Sequence, residues 1–186
     1  MKKIVHEHIE NALTLVQSFP LPARDIVVKW SKRLKTLEMS DDAGLPMNVV
    51  TPLGMFPFEF KKEELLTYIQ SSGIKPIQMN PKNAYKSIQL LTTTEHSEQP
   101  ILIESPLFPH PYILTGHAKL HKAIENNSTI NVYSLGEYDF ISLFKDDTNK
   151  GMYAFLRDLQ MILDNPHFVQ QNNLFYAHQD ELFYTE

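Results

Sequence analysis

Residues 99–135 read QPILIESPLFPHPYILTGHAKLHKAIENNSTINVYSL, and this stretch decides the fold that we expect. Its apolar runs Ile101–Glu104 and Tyr112–Thr115 are typical of short strands, and a proline-rich connection separates them. Gly116 comes next, where the chain must turn abruptly, and glycine suits such a turn because it has no Cβ. We expect a helix from His117 to about Asn126, followed by a strand.

The following strand spans Thr129–Leu135, so the stretch predicts a strand–turn–helix–strand unit. A helix that begins at a glycine turn presents free N–H groups and a positive dipole end, which favour an anion such as phosphate. Lys119 lies in the first turn, where it would neutralise a phosphate charge, and His117 would donate a hydrogen bond. Many such turns bind nothing, so the pattern alone does not identify a ligand.

The order of these features resembles the ParB/sulfiredoxin superfamily. Members typically show P-I-x-V, then G-x-x-R-x-x-A, then I-P-V. The counterparts in this sequence are Pro100–Ile103, Gly116–Ala123 and Ile130–Tyr133. Upstream, Ile74–Pro81 is similar to the opening strand of the family and its Asn-Pro turn. The resemblance covers roughly a third of the chain.

The resemblance implies a small mixed β-sheet that carries this unit. Together with the helices that apolar spacing predicts at both ends of the chain, it gives an α+β fold. The resemblance also implies binding of ATP or CTP with Mg²⁺, and weak NTP hydrolase or phosphotransferase activity. The residues that would contact phosphate are Gly116, His117, Ala118 and Lys119, with Glu104 and His121 as additional candidates.

Two departures from the family weaken the case for catalysis. Ala118 stands where the partition proteins have an arginine, and Lys119 replaces an arginine whose planar fork matches phosphate geometry. The chain has no cysteine, which excludes the chemistry of sulfiredoxins. The alternative prediction is therefore a non-catalytic protein-interaction module that keeps the fold.

A metal site is a competing interpretation of the same helix. His117, His121 and Glu125 are spaced so that one face presents all three, and His110 precedes them. Paired histidines four residues apart can chelate a metal. Exposed helix residues follow the same spacing, and no further ligand can be located. We therefore predict no metal site.

The remaining elements follow from apolar spacing. We divide the chain into an N-terminal helical segment, residues 1–72, packed on a core of residues 73–186 that together form one compact unit. Helices are expected at 2–18, Ala23–Leu37, Lys61–Ser72 and Met152–Leu163; a strand at Ile74–Met79; a helix or turn at Asn83–Leu91; an irregular hairpin or buried loop at Met47–Phe60; a short helix or extended piece at Gly136–Phe144; and a polar loop at Lys145–Lys150. Beyond Pro166 the sequence is rich in aromatic residues, which suggests that it docks on the body of the protein.

The second predicted helix carries the most basic stretch of the chain, with Lys29, Lys32, Arg33 and Lys35. An ordinary solvated helix face would have this composition. A contact surface for an acidic partner would have it too.

Bulk composition narrows the class of protein. The 186 residues are 42% hydrophobic and 21% charged, which is typical of a globular domain. A formal net charge of −5 disfavours direct DNA binding, although a protein partner stays open. We expect no membrane segment and no export signal, because no apolar run is long enough, and so we expect a cytoplasmic protein.

Overall fold

The computed structural model describes residues 1–81, 99–108 and 110–167. In these residues the fold is mixed α+β, with six α-helices and two small sheets, which confirms the predicted class. The helices are α1 (Lys2–Leu15), α2 (Leu21–Leu34), α3 (Lys62–Ser71), α4 (His117–Glu125), α5 (Glu137–Phe140) and α6 (Asp147–Asp164), and a 3₁₀ turn spans Ile141–Leu143. The strands are β1 (Leu45–Thr51), β2 (Gly54–Phe60), β3 (Ile77–Met79), β4 (Ile101–Ile103), β5 (Tyr112–Thr115) and β6 (Ile130–Leu135).

The chain divides into two compact units. The first combines Met1–Phe60 with the described residues from Phe144 onward, and the second is Lys61–Leu143. The first therefore contains α1, α2, the β1–β2 hairpin and α6. The second contains the four-stranded sheet with α3, α4 and α5.

The hairpin of the first unit has a regular antiparallel register from Leu45↔Phe60 to Thr51↔Gly54. Its side chains alternate between faces, so the rings of Phe56, Phe58 and Phe60 are all buried on one side. These rings contact aromatic side chains of the same unit; the Phe58 and Tyr153 ring centroids, for example, lie 6.1 Å apart. An aromatic core thus holds the hairpin.

Polar side chains of the first unit are paired inside this core. The indole Nε1 of Trp30 donates to Oδ2 of Asp158 at 2.6 Å, and both side chains are fully buried. The buried Asn149 accepts from the amide of Glu59 at 3.0 Å and donates to Oδ1 of Asp146 at 2.8 Å. These bonds tie α6 to α2 and to the hairpin.

The sheet of the second unit has the strand order β3-β6-β4-β5. β4 runs parallel to β6, while the β3–β6 and β4–β5 pairs are antiparallel. The helix α4 covers one face of this sheet, where Leu120 packs in a buried cluster with one apolar side chain from each of three strands: Leu102, Ile113 and Val132. All three residues of β4 are buried, as expected of a central strand.

Most predicted elements are confirmed. The order of strand, glycine turn, helix and strand is present with β5 as predicted, and α4 and β6 agree within one residue with their expected bounds. Gly73 follows α3 at φ +71°, as expected of a glycine that ends a helix. None of the described helices has the length and apolar content needed to cross a membrane.

Some predictions were wrong. The segment Met47–Phe60, expected to be an irregular hairpin or a buried loop, is a hairpin of regular register. Pro57 fits in it because the amide of Glu59, two residues further along β2, donates to Asn149 rather than to β1, so the N–H that proline lacks would also point away from β1. The predicted polar loop ends early, since Asp146 accepts from the amide of Asn149 and so starts α6. The strand expected from Ile74 begins at Ile77. The expectations for Asn83–Leu91 and for the aromatic tail lie outside the described residues.

Candidate functional site

Gly116 forms the turn between β5 and α4 in the left-handed conformation, with φ +76° and ψ +20°. A Cβ placed on it would lie 2.5 Å from both Cα and N of Pro100. Two reasons therefore require glycine here, the positive φ and the close approach of the Gln99–Pro100 backbone.

Neighbouring hydrogen bonds hold this close approach. The hydroxyl of Thr115, which is buried, donates to the carbonyl of Gln99 at 2.8 Å. The amide of Tyr133 donates to the carbonyl of Pro100 at 2.9 Å. Sequence reasoning did not single out Thr115. Its place directly before a turn glycine, at the end of an apolar strand, is the sequence signal by which it could have been found.

The ends of β3 and β5 and the starts of β4 and β6 lie at the same edge of the sheet. Thr115 at the end of β5 pairs with Ile101 at the start of β4, and Met79 at the end of β3 pairs with Ile130 at the start of β6. Because β4 and β6 are parallel, their starts point to the same edge. The N-terminus of α4 therefore begins at the edge where β3 ends.

The first turn of α4 presents backbone N–H groups at this edge. The amide of Leu120 donates to the carbonyl of Gly116 at 3.1 Å, which is the first intrahelical bond. The amides of His117 and Ala118 precede that bond, and Gly116 has no side chain to cap them. The side chain of Lys119 is half-buried in the same turn. Partial positive charge is thus concentrated here.

The side chain of His117 is half-buried, and burial lowers the pKa of its imidazole below the usual 6.5. A hydrogen bond from the ring to the carbonyl of Ile113 partly opposes this shift. The imidazole is therefore held neutral near pH 7, and it orients toward β5.

Glu104 lies apart from the glycine turn. It follows the other end of β4, where its amide donates to the carbonyl of Leu135 at 2.9 Å and its carboxylate accepts from the hydroxyl of Ser134. About 13 Å of extended chain separate it from Pro100. The structure therefore groups Gly116, His117, Ala118 and Lys119 but does not bring Glu104 to them.

His121 lies one turn further along α4, where its Nδ1 is 3.5 Å from a carboxylate oxygen of Glu125. The residues described by the structure contain no group of three or more histidine, cysteine, aspartate or glutamate side chains that could hold a metal ion.

Comparisons with known proteins identify no relative of this chain. No protein-family model matches the chain, and neither the curated proteins nor the solved structures contain a match to it. Its function must therefore be argued from its own residues.

Proposed function

We propose that this protein binds a nucleotide, or another phosphate-bearing ligand, at the N-terminus of α4. The observation that carries the proposal is the left-handed turn at Gly116, after which the amides of His117 and Ala118 begin a helix with no side chain at the cap position. An anion at such an end gains hydrogen bonds from the amides and the favourable field of the helix. The resemblance to the ParB/sulfiredoxin superfamily favours ATP or CTP with Mg²⁺ as that ligand.

Lys119 and His117 have distinct roles in this proposal. Lys119 supplies a positive charge in the first turn, as a point charge rather than the planar fork of an arginine. The neutral ring of His117 already donates its N–H to the carbonyl of Ile113, so it would donate to a phosphate only when protonated, and a bound phosphate would raise the pKa of the imidazole by favouring that charged form. The turn thus suits binding more directly than hydrolysis or phosphotransfer, because Glu104 lies at the far end of β4.

A non-catalytic interaction module is the second candidate, and a specific observation favours it. The backbone of Pro100 would meet a Cβ of Gly116 at 2.5 Å, so the packing of the strands requires glycine whether or not a ligand binds. A module that had lost its ligand would keep the same turn.

Thermal unfolding with and without ligand separates the two candidates. A ligand that binds only the folded state stabilises it, by about 2.7 kcal/mol when its concentration is a hundred times its Kd. We expect ATP or CTP with Mg²⁺ at millimolar concentration to raise Tm by several degrees. Inorganic phosphate tests the anion site alone, and adenosine tests whether the base suffices.

A matched pair of variants locates the site. Lys119→Ala should abolish most of the nucleotide-dependent shift, whereas Lys122→Ala, an exposed lysine in the last turn of the same helix, should retain it. If neither nucleotide nor phosphate shifts Tm of the unmodified protein, the binding function is wrong and the interaction module is favoured. A shift that survives Lys119→Ala would place the ligand elsewhere.

A further inference from the structure

The exposed face of α2 combines apolar and basic side chains. Leu21 and Val28 are spaced seven residues apart, so they lie on the same side of the helix, with exposed fractions of 64% and 38%. Arg24, Lys32 and Lys35 are exposed around them. We call this surface, formed by Leu21, Arg24, Val28, Lys32 and Lys35, the basic face of α2.

The opposite side of α2 is already occupied. The indole of Trp30 lies there, bonded to Asp158 and with its ring 6.3 Å from that of Phe155, both of α6. Among the described residues, α6 therefore covers the buried side of α2, and the basic face is exposed. Asp25 is the acidic residue on the exposed side of α2, so positive charge dominates there although the chain as a whole is acidic.

The chain itself contains a segment with the complementary chemistry. Residues 168–186, FVQQNNLFYAHQDELFYTE, contain no lysine or arginine, and they place acidic residues Asp180 and Glu181 directly before Leu182, Phe183 and Tyr184. The segment follows α6, which is the helix packed behind α2. A segment of this length spans roughly 60 Å when extended, several times the diameter of a helix of about 10–12 Å.

We propose that residues 168–186 dock on the basic face of α2, with apolar side chains against Leu21 and Val28 and with Asp180 and Glu181 against Lys32 and Lys35. Apolar contact and the ion pairs act together, and because exposed ion pairs contribute little individually, the docking requires both. The charges select the acidic segment and make its docking sensitive to salt, because the screening length falls to about 3 Å at 1 M. A partner protein that uses this face must displace the segment.

Distance measurement between two introduced labels tests the docking in the full-length protein. The chain has no cysteine, so Thr36→Cys beside the basic face and Thr185→Cys in the segment provide the only two attachment points for spin labels. We expect a single short-distance population at low salt that is lost at high salt. A broad distribution of distances at low salt would overturn the proposal.

Charge reversal provides the specific control. Lys32→Glu with Lys35→Glu should remove the short-distance population, and combining this change with Asp180→Lys and Glu181→Lys should restore it. Lys2→Glu with Lys3→Glu, on the exposed surface of α1, should leave the distances unchanged. Circular dichroism checks that each variant retains its helices.

Mixing experiments identify the molecule that supplies the segment. When each copy carries one label, either at position 36 or at position 185, the proposal expects no short distance in the mixture. A short distance in such a mixture would show that the segment of a second copy occupies the basic face, and it would overturn docking within one chain.

Discussion

The two units are built from contacts of very different range along the chain. In the first unit, the buried Trp30 and Asp158 are 128 residues apart, and Asn149 bonds the amide of Glu59 across 90 residues. In the second unit, β4, β5, α4 and β6 all lie between residues 101 and 135. The first unit is held together by side chains that are far apart in the sequence, and the second by a turn between elements that are close in the sequence.

This difference predicts where each unit is most sensitive. The second unit depends on backbone geometry at Gly116, where the chain passes close to Pro100. The first depends on buried polar side chains of α2 and α6, whose desolvation is compensated by hydrogen bonds such as the one from Trp30 to Asp158. Substitutions that attack the backbone in one unit and the side chains in the other should test the contrast.

The largest effect should come from Gly116→Ala. Left-handed backbone costs an alanine about 1–2 kcal/mol, and the new Cβ would also meet Pro100 backbone atoms at 2.5 Å, which must shift. We expect the free energy of unfolding of the second unit to fall by about 3 kcal/mol or more. Hydrogen exchange measured peptide by peptide would detect lost protection over residues 112–135.

Gly73→Ala is the matched control for that substitution. Gly73 has a similar φ of +71° in the same unit, but apart from its chain neighbours no atom of the described residues lies within 4 Å of the position that a Cβ would take there. Gly73→Ala should therefore lower the free energy of unfolding by about 1–2 kcal/mol, from the backbone conformation alone. Equal losses for the two alanines would mean that the close approach to Pro100 contributes nothing.

Trp30→Phe should have the next largest effect, and it acts on the first unit. Phenylalanine keeps an aromatic ring beside Phe155 but removes the indole N–H that donates to the fully buried Asp158. A hydrogen bond to a carboxylate contributes about 1.5–3 kcal/mol, so we expect a loss of about 2 kcal/mol. Chemical denaturation followed by far-UV circular dichroism measures it. No measurable loss would show that the long-range bond is not important for stability.

The contrast in range also explains what the sequence could predict. The pattern of Tyr112–Thr115, Gly116 and the following helix is local, so apolar spacing and glycine chemistry were enough to place it. The grouping of α6 with α1 and α2 was not foreseen, because it rests on pairs such as Trp30 with Asp158. Nothing in a sequence read residue by residue indicates that an aspartate in a C-terminal helix faces a tryptophan near the N-terminus.

The residues of the candidate site also differ in whether their proximity follows from the local sequence or from the pairing of strands. Gly116, His117, Ala118 and Lys119 are consecutive, so their proximity follows from the chain itself. Glu104 was considered with them because the family resemblance implies an acidic residue near the first strand, yet the antiparallel pairing of β4 with β5 puts it at the other end of the strand. Strand direction is a property of the whole sheet, which short motifs do not specify.

Tyr68→Phe tests a longer-range side-chain bond inside the second unit and should have a smaller effect. The Tyr68 hydroxyl donates to Oδ1 of Asp139 at 2.8 Å, across 71 residues, while Oδ2 of Asp139 accepts from the Gly136 amide at 2.9 Å. Removing the hydroxyl should cost about 1 kcal/mol because the pair is only part-buried. A loss as large as that of Trp30→Phe would contradict the expectation that the second unit depends mainly on its local turn.

The same residue predicts a dependence on alkaline pH. The hydrogen bond to Asp139 raises the pKa of the Tyr68 phenol above its usual 10.0, and burial and the negative charge of Asp139 add to the shift. The Tyr68 hydroxyl contributes fully to the free energy of unfolding below pH 10. This contribution is lost as pH rises through the folded-state pKa, because the phenol of the unfolded chain releases its proton at a lower pH than that of the folded chain. Stability curves for the unmodified protein and Tyr68→Phe should therefore converge above pH 10. Parallel curves would contradict this linkage.

The smallest effect should appear at His117, on the acid side. Burial lowers the pKa of its imidazole below 6.5, so between 6.5 and the folded-state pKa the unfolded chain binds more protons than the folded one. The contribution of His117 is therefore present above pH 6.5 and is lost as pH falls through that window. His117→Gln should flatten the stability curve there, as measured by denaturation at a series of pH values. Bound phosphate should flatten it too in the unmodified protein, because an anion beside the ring favours the protonated form and moves the folded-state pKa back toward 6.5. Suppose that His117→Gln removes the pH dependence of the free energy of unfolding while phosphate leaves that of the unmodified protein unchanged. In that case the ring titrates as described but no anion binds beside it, and the turn has the described structure without the proposed binding function.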